Sequence, residues 1–182
     1  RQCVEGWKRD GLAAAWPEAG PGAVVGLPSM NAPLKAMAAA QDVRWSARVK
    51  RLVPGPAGWM LEIGEEDALE GPFAGVIVAI PPEQATPLLA DHSFDLTVYS
   101  AIARSTPVWT AMVAFEAPLP TSAAWLEGCE VLERAVCETA KPGRARIEAW
   151  TLQATRAWSE QRLGAAPALA ADRMLAAFAR RF

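Results

Sequence analysis

The chain has 182 residues, 52% of them hydrophobic and 21% charged, which describes an ordinary globular chain and excludes a disordered one. That length allows one good core or two small ones. A formal net charge of -2 gives no electrostatic reason to expect nucleic acid or an anionic membrane surface as partner, and no apolar run approaches the roughly 20 residues that span a bilayer. Cys3, Cys129 and Cys137 form an odd set without framework spacing, which points to reduced thiols and a cytoplasmic setting. With His92 as the single histidine, a His-based metal site is excluded.

The chain opens Arg1-Gln2-Cys3-Val4, with neither Met nor an apolar signal segment, and closes on Ala179-Arg-Arg-Phe182 in a helical pattern. The expectation is a piece of a longer protein. Trp7–Gly11 and Ala15–Pro17 read as short extended pieces around a turn that closes at Pro21-Gly22, and Val24–Gly26 as a brief strand. Leu27–Pro33 leads into a helix over Leu34–Ala40, with Pro33 in its first turn and Asn31 or Ser29 as cap. From Asp42 to Val53 the apolar positions Val43, Trp45, Ala47 and Val49 alternate with Arg44, Ser46, Arg48 and Lys50. Period two predicts a half-buried strand. Pro54–Gly58 is its turn and Trp59–Ile63 the returning arm of a hairpin, followed by the acidic Glu65-Glu66-Asp67 as a solvated loop.

The organising stretch comes next. Gly71-Pro72 reads as a turn, Val76–Ile80 as a strand buried on both faces, and Pro81-Pro82 as its stop, with a helix resuming at Glu83-Gln84-Ala85. Proline lacks an N–H donor, so the pair ends the ladder and fixes the direction in which the backbone leaves. The end of such a strand is where open α/β sheets present backbone to a ligand; the alternative is a plain core strand before a helix.

After about Asp95 the texture turns to β-rich. Val108–Phe115 and Ile147–Ala154 alternate clearly; Ala124–Leu126 and Val131–Cys137 are weaker extended candidates, the second equally readable as a short helix. Lys141-Pro-Gly-Arg144 is a turn carrying two cations. Thr155–Leu163 reads as a helix capped by Thr155, and Ala165–Phe182 as a longer amphipathic helix with Leu169, Met174, Leu175 and Phe178 on its apolar side.

Little of this carries chemistry by itself. Val24-Val25-Gly26 offers one glycine where a dinucleotide fingerprint needs three, and there is neither a Ser/His/Asp set nor a Cys/His pair in nucleophile context. Glu116, Glu127 and Glu148 would serve paired-carboxylate chemistry only if two of them converged; otherwise they are surface residues. Lys141 and Arg144 would grip an anion or simply decorate a turn. Trp109, Trp125, Trp150 and Trp158 would wall an aromatic slot together, and taken singly are core residues.

Several stretches taken in order resemble the flavin-dependent amine oxidase superfamily, most closely its bacterial renalase-like branch. They are Gly26–Ala38, Val43–Leu52, Gly75–Leu89, Pro107–Phe115, Lys141–Arg144 and Ala149–Ser159, and the resemblance covers almost the whole chain. It implies an α/β (α+β) fold: a partial FAD-binding lobe over residues 27–95, and a mostly antiparallel substrate lobe from 1–26 and 96–182. It implies FAD contact at Val49, near the adenine end, and at Ala79, Ile80 and Pro81 along the dinucleotide. Trp109 and Trp150 become the substrate-cavity candidates, and a small-molecule substrate the partner. The implied reaction is hydride transfer to flavin from an amine or a dihydronicotinamide-type donor, with dioxygen reoxidising the flavin. The family's opening GxGxxG unit and its closing Gly-Asp segment are missing from this sequence. The expectation is therefore the middle of an enzyme that retains no flavin by itself and self-associates through the surface left uncovered. The rival reading is a non-catalytic β-rich binding module with Trp109, Trp125 and Trp150 lining a groove; a GxGxxG unit encoded just upstream of Arg1 would decide against it.

Overall fold

A computed structural model describes residues 2–64, 68–145 and 147–181. In chain order its elements are α1 (Gln2–Arg9), β1 (Ala13–Ala15), β2 (Val24–Gly26), α2 (Ala32–Ala39), β3 (Val49–Gly55), β4 (Gly58–Ile63), β5 (Ala68–Phe73), α3 (Pro82–Leu89), α4 (Phe94–Ile102), β6 (Thr110–Phe115), β7 (Trp125–Glu127), β8 (Leu132–Cys137), β9 (Glu148–Ala154), α5 (Arg156–Glu160) and α6 (Pro167–Ala179). This is the mixed α/β fold expected. The chain divides into two units, one from 1–42 with 107–182, the other from 43–106. Both borders lie later in the chain than those drawn from the resemblance, so α2 joins the discontinuous unit and α4 the continuous one.

The discontinuous unit is built on an antiparallel sheet in the order β6-β9-β8-β7. Alternation decides its faces. Ala111, Ala135, Cys137, Trp150, Leu152 and Ala154 point to one side, where α6 lays down Ala170, Met174, Ala177 and Phe178 at helical spacing. Burying each of the large side chains is worth roughly 1.5–3 kcal/mol. Thr155 caps α5 as expected, its hydroxyl accepting from the Trp158 N–H. Ser159, fully buried, donates to the Thr155 carbonyl and accepts from the Trp109 N–H, which fastens α5 to the start of β6.

On the other side of this sheet, Trp16, Val25 and Ala124 form a smaller cluster with Val136. β1 and β2 pair as an antiparallel hairpin there. The expected extended piece at Trp7–Gly11 is instead mostly helical, since Trp7–Arg9 belong to α1. Glu5 in its first turn and Lys8 and Arg9 in its last suit the helix dipole, and Lys8 pairs with Glu5 at 3.0 Å. α2 starts two residues before the expected Leu34, with Asn31 at the capping position; the Asn31 side chain accepts from the Ser29 hydroxyl rather than capping the helix.

The 43–106 unit carries the meander β3-β4-β5. Pro56 and Ala57 turn the hairpin between Gly55 and Gly58, as the sequence predicts. Three expectations change here. The strand read from Asp42 begins only at Val49, opposite Ile63 at the end of β4, and among the described residues no strand pairs with 43–47; Trp45 is 79% exposed. Gly71-Pro72 is part of β5 rather than a turn, and β5 is an edge strand, where a missing N–H is tolerated. The acidic loop at Glu65–Asp67 lies outside the described residues.

The third change concerns Val76–Ile80. It is extended but belongs to no sheet, and Ile77 is 95% exposed while Val76 and Val78 are half-buried. A strand buried on both faces needs a neighbour on each side, and among the described residues none pairs with it. Pro81 and Pro82 do end the segment, standing at the N-cap and first turn of α3. α4, unforeseen in the sequence, is capped by Ser93, whose hydroxyl accepts from the Leu96 N–H. It lies against α3, with the Thr86 and Ser100 hydroxyls in hydrogen-bond contact at 2.9 Å.

Candidate functional site

Within the 43–106 unit, an open groove of about 1070 Å³ runs between the meander and α3. Its base is the apolar face of the hairpin, with Val49 and Leu52 from β3 and Leu61 from β4. One wall is Ser46–Arg48, where the chain turns through Ser46 at a positive φ of 59° before entering β3. The opposite wall is the extended segment Val76–Ile80 and the groove side of α3, with Glu83, Gln84 and Leu88. The volume lies just above the range for pockets that hold drug-sized ligands.

The backbone of the extended wall adds to this. Among the described residues, Gly75–Ala79 make no backbone hydrogen bonds, so their N–H and C=O groups stand available to a ligand or a pairing strand. Alternation leaves Val76 and Val78 turned inward and Ile77 outward. Ala79 has only a methyl group, which lets a ligand come close to the main chain.

Among the described residues, Glu83 is the acid that lines the groove, and its carboxyl is perturbed. Its pKa is held below the ordinary value, first by the hydrogen bond from the Ser105 N–H, then by its own backbone N–H and the Ser105 hydroxyl, with Arg104 adding a smaller attraction. The Ser105 N–H reaches Glu83 Oε1 at 2.8 Å.

Of the expected cofactor residues, the structure brings Val49, Ala79 and Ile80 to this one groove. Pro81 is not among its lining residues; the Pro81 carbonyl accepts from the Gln84 and Ala85 N–H groups, both at 2.9 Å, and serves the start of α3. Leu52, Leu61, Glu83, Gln84 and Leu88 were not singled out from the sequence. Only the pair directly after Pro81-Pro82 carried a signal there, as the opening turn of a helix beside the expected ligand edge.

The expected substrate-cavity residues sit elsewhere. Trp150 is 1% exposed, on the sheet face that α6 covers, with its Nε1–H donated to Glu148 at 2.6 Å. Trp109 packs against the same core and donates its Nε1–H to the Arg162 carbonyl. Both have the surroundings of core residues, because even-numbered positions of β9 face the helices and so do the odd-numbered positions of β6 and the residue before it. Trp125 pairs with Val136 on the opposite face and carries the Arg134 guanidinium 5.4 Å above its ring. The tryptophans therefore do not line one groove.

Lys141, Arg144 and Glu148 have structural partners. Lys141 pairs with Glu138 at 2.6 Å and lies 5.6 Å above the Trp16 ring. Arg144 donates to the carbonyls of Gly26, at 3.1 Å, and Pro28. Glu148 holds the Trp150 indole, and Glu127 lies across from Arg134, two strands away from Glu148 and at the other end of the sheet. Among the described residues no cluster of His, Cys, Asp or Glu could hold a metal ion, the three cysteines are free, and no helix is long and apolar enough to cross a membrane. No family model matches the chain.

Proposed function

We propose that this chain is part of an FAD-dependent oxidoreductase of the amine oxidase type, in its renalase-like branch, and that the groove of the 43–106 unit takes the adenine side of the dinucleotide. The observation that carries this reading is the meeting of Val49, Ala79 and Ile80 on one groove, since these are residues the family resemblance assigns to the cofactor. The chemistry of the walls suits such a ligand. Val49, Leu52, Leu61 and Val78 offer apolar surface to a flat base, and the backbone of Gly75–Ala79 offers donors and acceptors for its polar edge.

A bound flavin would accept hydride from an amine or a dihydronicotinamide-type donor and pass electrons to dioxygen; the protein's part is position and dryness. In this reading the substrate faces the side of the four-stranded sheet away from α6, where Thr110, Met112, Thr151 and Gln153 point. Trp109 and Trp150 then support that sheet from behind. No observation favours the rival binding module, whose three tryptophans are split between two faces.

The test is the visible absorption spectrum of the purified product of the complete gene. Bands of oxidised flavin support the reading, and their reduction by Ala79→Trp, which fills the groove, ties the flavin to this site. A purified protein that is colourless and takes up no added FAD sinks it.

A further inference from the structure

Residues Ala103–Thr106 follow α4 without secondary structure, and all are exposed. Among the described residues the segment is tied to its unit at one place, Ser105, whose N–H donates to Glu83 Oε1 at 2.8 Å. Glu83 also lines the groove, from the first turn of α3. One exposed carboxylate thus belongs to two structures at once. A carboxylate accepts from several directions, but a strong donor arriving from the groove side competes for its orientation and charge.

We propose that Glu83 is a latch: a ligand in the groove that presents a hydroxyl, amide or ammonium donor to this carboxylate draws it from Ser105, so that occupancy of the groove and order of the 103–106 connector are coupled. The ligand half of this statement rests on the reading of the groove given above. Coupling of this kind is reciprocal, so removing the latch partner also changes how strongly the groove holds such a ligand. Arg104, immediately before Ser105, supplies a measurement, because trypsin cleaves after it when the segment is free.

The experiment follows trypsin cleavage at Arg104 in the full chain by mass spectrometry, for the wild type, Glu83→Gln and Glu83→Ala. The expected result is an initial rate raised about threefold or more in Glu83→Ala, as suits an exposed charge-assisted bond, with Glu83→Gln between the two. Equal rates in all three overturn the latch. Should Glu83→Ala lose its native circular dichroism, Glu83→Gln, which keeps the size and one acceptor, is compared with the wild type instead. Adenosine serves as the groove probe, with binding followed by equilibrium dialysis. Bound adenosine with faster cleavage at Arg104 supports the coupling; bound adenosine with unchanged cleavage overturns it. If no adenosine binds, the nucleotide reading of the groove fails and the coupling falls with it, while the ligand-free comparison still decides whether Glu83 tethers the connector.

Discussion

The rings of Trp150 and Phe178 meet with centroids 5.1 Å apart and planes at 52°, joining the middle of β9 to the end of α6. Phe178 also stacks against Phe115 of β6, at 6.2 Å. One side chain from the last helix therefore reaches two strands of the sheet. Phe178→Ala removes both contacts from a site that is 1% exposed and should cost about 3–5 kcal/mol, read as a lowered urea midpoint. A loss under about 1 kcal/mol would mean that α6 is not part of the cooperative core.

Arg144 ties the turn after β8 to the carbonyls of Gly26 and Pro28. Arg144→Ala should destabilise the discontinuous unit by about 1–2 kcal/mol, and Arg144→Lys should recover part of it, since both bonds come from the one nitrogen Nη1 and an ammonium also has donors for two carbonyls. Urea unfolding followed by Trp fluorescence measures both. Full recovery by lysine would show that charge alone matters at this position.

Gly58 has a φ of 133°, and a Cβ there would strike the Phe73 carbonyl. Gly58→Ala should therefore cost at least about 2 kcal/mol and loosen the pairing of β4 with β5. Hydrogen exchange of the Trp59–Ile63 amides reads this directly. Unchanged protection would place the turn outside the stable part of the meander.

The Glu83 latch has a definite pH dependence. Its carboxyl is held below the ordinary value in the folded chain, by the Ser105 N–H first. The bond's contribution is therefore fully present above the unfolded carboxyl's range. It is lost as pH falls through the lower folded value. Exchange of the Ser105 amide, corrected for its intrinsic rate, should stay protected through mildly acidic pH and lose protection only below the usual glutamate range. Loss of protection near neutral pH would be inconsistent with this carboxylate as the partner.

The 43–106 unit exposes Trp45, Ile77, Phe94, Tyr99 and Ile102, each more than two-thirds uncovered. Apolar surface of this kind seeks partners, so the isolated chain should associate as its concentration rises, and a Phe94→Asp, Ile102→Lys double variant should associate less. Sedimentation velocity distinguishes the outcomes. A monomer at all concentrations would count against an uncovered surface.

The sequence alone determined what is local. Alternation in Val108–Phe115 and Ile147–Ala154 located two strands of the sheet, Thr155 marked the start of α5, the Pro/Gly run placed the hairpin, and Pro81-Pro82 marked the start of α3. Each is set by the residue's own backbone preference or by side-chain period. What needed the tertiary structure was pairing. The alternation over Val43–Ala47 is more regular than the sequence Val49–Val53, yet among the described residues only the second stretch has a strand across from it. Val76–Ile80 has the composition of a central strand but no neighbour among the described residues, and so lies open along a groove. Strands, unlike helices, are completed by hydrogen bonds from elsewhere in the chain. The same holds for Trp150: its position on β9 was legible, but which face of the sheet α6 would cover was not, and that choice made it core. The gathering of Val49, Ala79 and Ile80 around one groove, with Glu83 also lining it, came only from the way the meander and α3 fold together.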